Sequence, residues 1–152
     1  MKIKKATKEH VKQLSEYMLK ELEKPNEKFP ALMIEKFREN AKIENMEKQF
    51  DNPNLIGFVL MEDEELKGFI VGYKENEYQS MIHYVTAENL SLRKDLLESF
   101  IAESRGRGLK KVTADSFEFM DSNKSFIDSG FDFIKKEEVV PGLEMLWYEL
   151  EL

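Results

Sequence analysis

The chain has 152 residues, enough for one domain with a sizeable core, and at 41% apolar residues with eleven phenylalanines it reads as globular. A net charge of −7 argues against a broad nucleic-acid or membrane footprint. The absence of cysteine excludes disulfides, thiolate chemistry and cysteine-ligated metal. MKIKKATKEH at the N-terminus lacks an apolar signal segment, and no apolar run approaches the length of a membrane span, so a cytoplasmic protein is expected.

Lys2 to Ala6 reads as an edge strand, and Thr7 is a candidate N-cap for the helix that follows. In that helix Val11, Leu14, Met18 and Leu22 recur at helical spacing until Pro25 ends the run. A polar connection over Glu23–Phe29 leads to a second, longer helix carrying Leu32, Met33, Phe37, Ala41 and Met46 on one face. Asp51-Asn52-Pro53-Asn54 breaks it. Two strands, Leu55–Met61 and Leu66–Tyr73, then form a hairpin around a four-residue acidic turn, Glu62 to Glu65.

The stretch from Tyr78 to Gly108 organises the rest. Its strand alternates Gln79, Met81, His83 and Val85 on one face with Ser80, Ile82 and Tyr84 on the other. After Thr86-Ala87-Glu88-Asn89 a helix starts, with Ser91 as candidate cap and Leu92, Leu96, Phe100 and Ser104 on its apolar stripe. Gly106 and Gly108 stop it, and Lys111–Phe117 is the next strand. A strand, helix and strand at this spacing make a parallel βαβ unit, whose ligands sit where the helix N-terminus offers free N–H groups. The junction from Val85 to Asp95 is therefore the candidate site. A short helix from Ser122 to Asp128, closed at Ser129-Gly130, precedes two antiparallel strands, Phe131–Val140 and Met145–Leu150, around Pro141-Gly142.

The resulting order, β-α-α-β-β-β-α-β-α-β-β, is a mixed α/β (α+β) pattern: about seven strands in a central sheet with helices on both faces. It resembles the GNAT family, the Gcn5-related N-acetyltransferases. Glu64-Glu65-Leu66-Lys67-Gly68-Phe69-Ile70 looks like the family's charged turn and third strand. Asn123 to Phe131, NKSFIDSGF, is similar to its fourth helix and the Gly-Phe pair that opens the sixth strand, and Met145-Leu146-Trp147-Tyr148 to its final strand. The likeness covers essentially the whole chain, as one domain.

Such a resemblance implies an enzyme that moves an acetyl group from acetyl-CoA to a small amine by direct attack. The family's pyrophosphate loop, Arg/Gln-x-x-Gly-x-Gly/Ala, lies between the fourth strand and the third helix. This sequence departs from it, with no glycine between Val85 and Leu96. Arg105-Gly106-Arg107-Gly108 spells a similar string, but it stands at a helix-to-strand transition, the reverse of what the motif requires. Cofactor binding is therefore expected from Val85, from the backbone of Leu90, Ser91, Leu92, Arg93 and Lys94, and from Asn123, Ser125 and Phe126.

His83 is the candidate general base on the strand lining the acyl site, although a hydrogen-bonded sheet histidine explains it as well. Phe126 stands where many members carry a tyrosine general acid, leaving Tyr84 as the candidate substitute. Asp115 and Glu118, near the end of the fifth strand, are candidate acceptor-side carboxylates. His10 and His83 are too far apart in sequence to signal a metal. Exposed edge strands and the C-terminal hairpin would permit a homodimer. The alternative to an enzyme is a GNAT-fold binding or regulatory module without catalysis.

Overall fold

The structure, a computed structural model, describes residues 1–24 and 31–152. Pro25 and most of the expected connection Glu23–Phe29 lie outside the described residues, as does the side chain of Leu32. The elements are β1 (Lys2–Lys5), α1 (Val11–Glu23), α2 (Ala31–Asn40), α3 (Ile43–Phe50), β2 (Leu55–Glu62), β3 (Glu65–Lys74) and β4 (Gln79–Ala87). They continue with α4 (Leu90–Gly106), β5 (Lys111–Phe117), α5 (Ser122–Asp128), β6 (Asp132–Val140) and β7 (Leu143–Glu151). The seven strands form one sheet in the order β1-β2-β3-β4-β5-β7-β6. Only β4 and β5 run parallel, joined through α4; all other neighbours are antiparallel.

Each face of the sheet has its own core. Leu96, Leu97, Phe100 and Ile101 of α4, with Phe126 of α5, cover Ile56, Ile70, Ile82, Val85 and Val112 on one side. Val11, Leu14 and Met18 of α1, with Met46 of α3, cover Val59, Met61, Leu66 and Phe69 on the other. Alternate residues of β2 and β3 thus feed opposite cores, as a two-sided sheet requires. The two fully buried hydroxyls of Ser80 and Ser104, 2.9 Å apart, satisfy each other between β4 and α4.

Both glycine stops are Schellman caps. Leu109 N–H donates to Ser104 O and Gly108 N–H to Arg105 O, with Gly108 at φ +80°. At the end of α5, Phe131 N–H donates to Phe126 O and Gly130 N–H to Ile127 O, and the Phe126 and Phe131 rings meet at 5.5 Å. That ring contact is the apolar partner which usually accompanies the motif.

Four expectations need correction. The long second helix is two: Ala41 is fully buried at the break, Lys42 takes an extended conformation, and Asn45 Nδ2 donates at 2.8 Å to the Glu39 carbonyl at the end of α2. The acidic turn is tighter than four residues, because Glu62 pairs with Glu65 and Asp63 adopts a left-handed φ of 56°. Asn89, not Ser91, caps α4, its Oδ1 accepting from Leu92 N–H at 3.0 Å.

Last, the two-residue alternation of β4 slips by one. Val71 pairs with Tyr84 but Gly72 with Ile82, so His83 is the extra residue of a β-bulge. Ser80, Ile82, Val85 and Ala87 are consequently the buried set, and Tyr84 moves to the face of α1.

Candidate functional site

The bulge at His83 coincides with the end of the parallel pairing. β4 and β5 pair from Gln79–Lys111 to Ile82–Ala114 and no further. Beyond that point β4 stays with β3 as far as Ala87, while β5 stays with β7 as far as Phe117. The two strands part, and the 83–87 edge of β4 is left without a strand on one side. Main-chain N–H and C=O groups on such an edge need partners, so it is a ready place for an extended ligand to bond.

A cleft of about 440 Å³ opens at this splay. Ile82 to Val85 form one wall and Asp115 to Phe117 the other, with Ser122 and Phe126 of α5 behind. Glu21 and Leu22 of α1 and Ile34 and Phe37 of α2 close it in front. Met18, Met33, Met120 and Met145, half of the chain's eight methionines, line it as well.

His83 lies on the cleft wall with its ring edge-to-face against Tyr73, centroids 5.1 Å apart. Partial burial holds its pKa below the ordinary imidazole value, against a weaker upward pull from Glu75. At neutral pH the ring is thus free of its second proton and able to accept one. Tyr84 stacks on Phe69 at 5.4 Å, and burial, helped by Glu21 and Tyr17, drives its phenol pKa upward. It therefore stays protonated and is a hydrogen-bond donor facing the cleft. Across from these, burial and the nearby Glu75 charge raise the Asp115 carboxyl to about 6. Glu21 is neutralised in place by Lys24, Oε1 to Nζ 2.8 Å.

The residues expected at the start of α4 stand outside the lining of the cleft. Leu92 N–H is occupied by Asn89 Oδ1, Arg93 N–H by Asn89 O, and the Leu92 side chain leans on the core. Leu90, Ser91 and Lys94 complete that first turn. Arg93 is the member that reaches across: its Nε donates to Ser125 Oγ at 2.8 Å and its Nη1 to Ala87 O at 3.1 Å. One guanidinium thus ties the end of β4 to α5.

Asn123 is bound up in the chain itself. Its Nδ2 donates to Phe117 O at 2.7 Å and Met120 O at 2.9 Å, and its Oδ1 accepts from Tyr148 O–H at 2.9 Å. Phe126, fully buried, turns part of its ring to the cleft and the rest to Phe131 and Tyr148. Glu118 is exposed beside Lys136, 3.6 Å away, and does not line the cleft.

Sequence reasoning missed the methionines and Glu21. Met18, Leu22, Met33 and Phe37 sit on helical stripes, which signal burial without saying whether the neighbour is protein or ligand. Only the Glu21–Lys24 spacing of three residues hinted at a paired charge.

By sequence the chain matches no family model and no curated protein. By structure it is similar to the ribosomal-protein-alanine N-acetyltransferase of Brucella melitensis, with TM-score 0.78, 15% identity and 100% of each chain covered. It is similar also to the aminoglycoside 6'-N-acetyltransferase of Enterococcus faecium, with TM-score 0.76 and 13% identity over 99% of this chain and 97% of that one. A third likeness is to the PaiA N-acetyltransferase of Thermoplasma acidophilum, solved with coenzyme A, with TM-score 0.72, 16% identity and 98% of each chain covered. Identities this low speak for architecture alone: the chain has the fold of the GNAT acetyltransferases.

Proposed function

We propose that the chain transfers an acetyl group from acetyl-CoA to a small amine. The observation that carries this reading is the splay of β4 and β5, which leaves the 83–87 edge of β4 unpaired along one wall of a cleft. An acyl-pantetheine arm has amides that can bond such an edge as an added strand would. That proteins of the same fold have been solved with coenzyme A supports it as the donor.

The chain's residues then divide the work. Val85 and its neighbours on β4 align the arm, and the buried ring of Phe126 supports it from behind. Beyond Val85, at the end of β4, Ser125 and Ala87 hold Arg93, whose remaining guanidinium donors would meet a diphosphate together with the N–H groups of Leu90 and Ser91. Lys94 adds a positive charge nearby. The amine nitrogen attacks the thioester carbonyl; the N–C bond forms, the C–S bond breaks, and the sulfur leaves as a thiolate. His83 accepts the amine's proton, and the phenol of Tyr84, which keeps its own proton, donates a hydrogen bond to the departing thiolate.

The test is CoA release measured with amines, alongside binding of CoA. His83→Ala should slow turnover at least tenfold with CoA affinity unchanged. Unchanged turnover would remove His83 from the chemistry, and an absence of CoA binding would overturn the reading altogether. A second reading, a CoA-binding module without catalysis, is favoured by Phe126 at a position suited to a phenol and by the glycine-free turn before α4. It predicts thermal stabilisation by CoA, about 2.7 kcal/mol at a hundred times the dissociation constant, with no turnover.

A further inference from the structure

We propose that the acceptor is a monoamine carried on an apolar body, and not a polyamine or other polycation. This rests on the transferase reading for the reaction, but the recognition it describes is set by the acceptor half of the cleft alone. The charge there is sparse. Of the two carboxylates among the described lining residues, Glu21 is already neutralised by Lys24 at 2.8 Å. Asp115 has no cation among the described groups that act on it, only burial and the like charge of Glu75. A single uncompensated carboxylate suits one ammonium group. Each further cationic centre would lose hydration with nothing to replace it.

The rest of the front wall is apolar. Met18 and Leu22 of α1, Met33 and Phe37 of α2, and Met120 and Met145 near the end of β5 face the same space. Methionines suit this task because an unbranched thioether moulds itself to different hydrocarbon shapes. The geometry also orders the two parts. Asp115 lies on β5 directly beyond the last β4–β5 pair, within the wall opposite His83, while Met18 and Met33 belong to α1 and α2, which close the cleft in front. An ammonium on Asp115 would therefore sit beside the base, with its hydrocarbon running out between α1 and α2. The raised pKa of Asp115 fits a carboxylate placed in apolar surroundings. Glu75 is the other carboxylate acting on it, and Gln79 Nε2 holds that group at 2.8 Å.

Acetyl transfer and calorimetric binding are measured with ethylamine, n-hexylamine, spermidine and kanamycin. The expected result is a kcat/KM that rises about fourfold per methylene, which over four methylenes puts n-hexylamine roughly 250-fold above ethylamine, and it should also lie above both polycations. Asp115→Asn should weaken n-hexylamine binding at least tenfold and leave n-hexanol binding unchanged, which a merely structural role would not do. A flat series, or a preference for spermidine or kanamycin, overturns the proposal while leaving the transferase reading in place. If no amine is acetylated but n-hexylamine still binds in an Asp115-dependent way, the acceptor class stands and the transferase reading falls. If no amine binds, both fall.

Discussion

Arg93 Nε donates to Ser125 Oγ at 2.8 Å, joining the first turn of α4 to a serine in α5 that is fully buried. That bond and the one from Nη1 to Ala87 O together fix the direction of its remaining donors. The chain has no glycine turn to bring its backbone close to an anion, and a prepositioned arginine does a related task by reaching out with a side chain. Arg93→Ala should weaken CoA binding about tenfold, the size expected for one charge-assisted hydrogen bond, and leave free pantetheine unaffected. Calorimetry with both ligands separates these outcomes, and tighter CoA binding would show that Arg93 obstructs the path.

The Asp115 carboxyl sets a pH dependence. Burial lifts its pKa from the ordinary carboxyl value to about 6, so the folded chain keeps a proton that the unfolded chain releases between those values. Stability therefore falls as pH rises through that window. Asp115→Asn should raise stability by about 1 kcal/mol at pH 7.5, after discounting for its solvent contact, and by nothing near pH 3.5. Urea denaturation at the two pH values reads this directly. Acceptor affinity should move the other way, with KM falling as pH rises through about 6 and the carboxylate forms.

Two glycines give a contrasting pair. A Cβ on Gly72 would lie 2.1 Å from Met81 O and 2.8 Å from Phe100 Cζ, at the point where the β4 bulge begins. Backbone cannot yield that far, so Gly72→Ala should cost about 3 kcal/mol or more. At Gly106, the last residue of α4, nothing lies within 4 Å. Gly106→Ala should leave stability unchanged or raise it by up to about 1 kcal/mol. Thermal melts of the two variants, against the parent, check both.

Phe126→Ala should cost about 3–5 kcal/mol, because it empties a fully buried site packed by Phe131 and Tyr148. Chemical denaturation measures it. A cost below about 1 kcal/mol would mean that the ring is held far more loosely than its contacts indicate.

The architecture was legible because its signals are local and chemically unambiguous. Gly108 and Gly130 stand at positive φ where helical periodicity stops, and the α4 stripe through Leu96 and Phe100 is buried as its spacing implied. The site was less legible because it depends on exceptions to periodicity. An extra residue at His83 leaves no mark in a two-residue alternation, yet it decides which side chains of β4 reach the cleft. No glycine or proline announces the break at Ala41, which arises from tertiary burial. Asn123 and Ser125 had the right chemistry for a ligand, but which polar atoms the chain uses on itself is settled only by distant partners, Tyr148 and Arg93.

Amide hydrogen exchange with and without CoA tests most directly whether the unpaired edge of β4 grips the acyl donor. Slowed exchange is expected within residues 83–87 and at Leu90 and Ser91, with little change in the paired half of β4 at 79–82. Unaltered exchange along 83–87 at saturating CoA would contradict it.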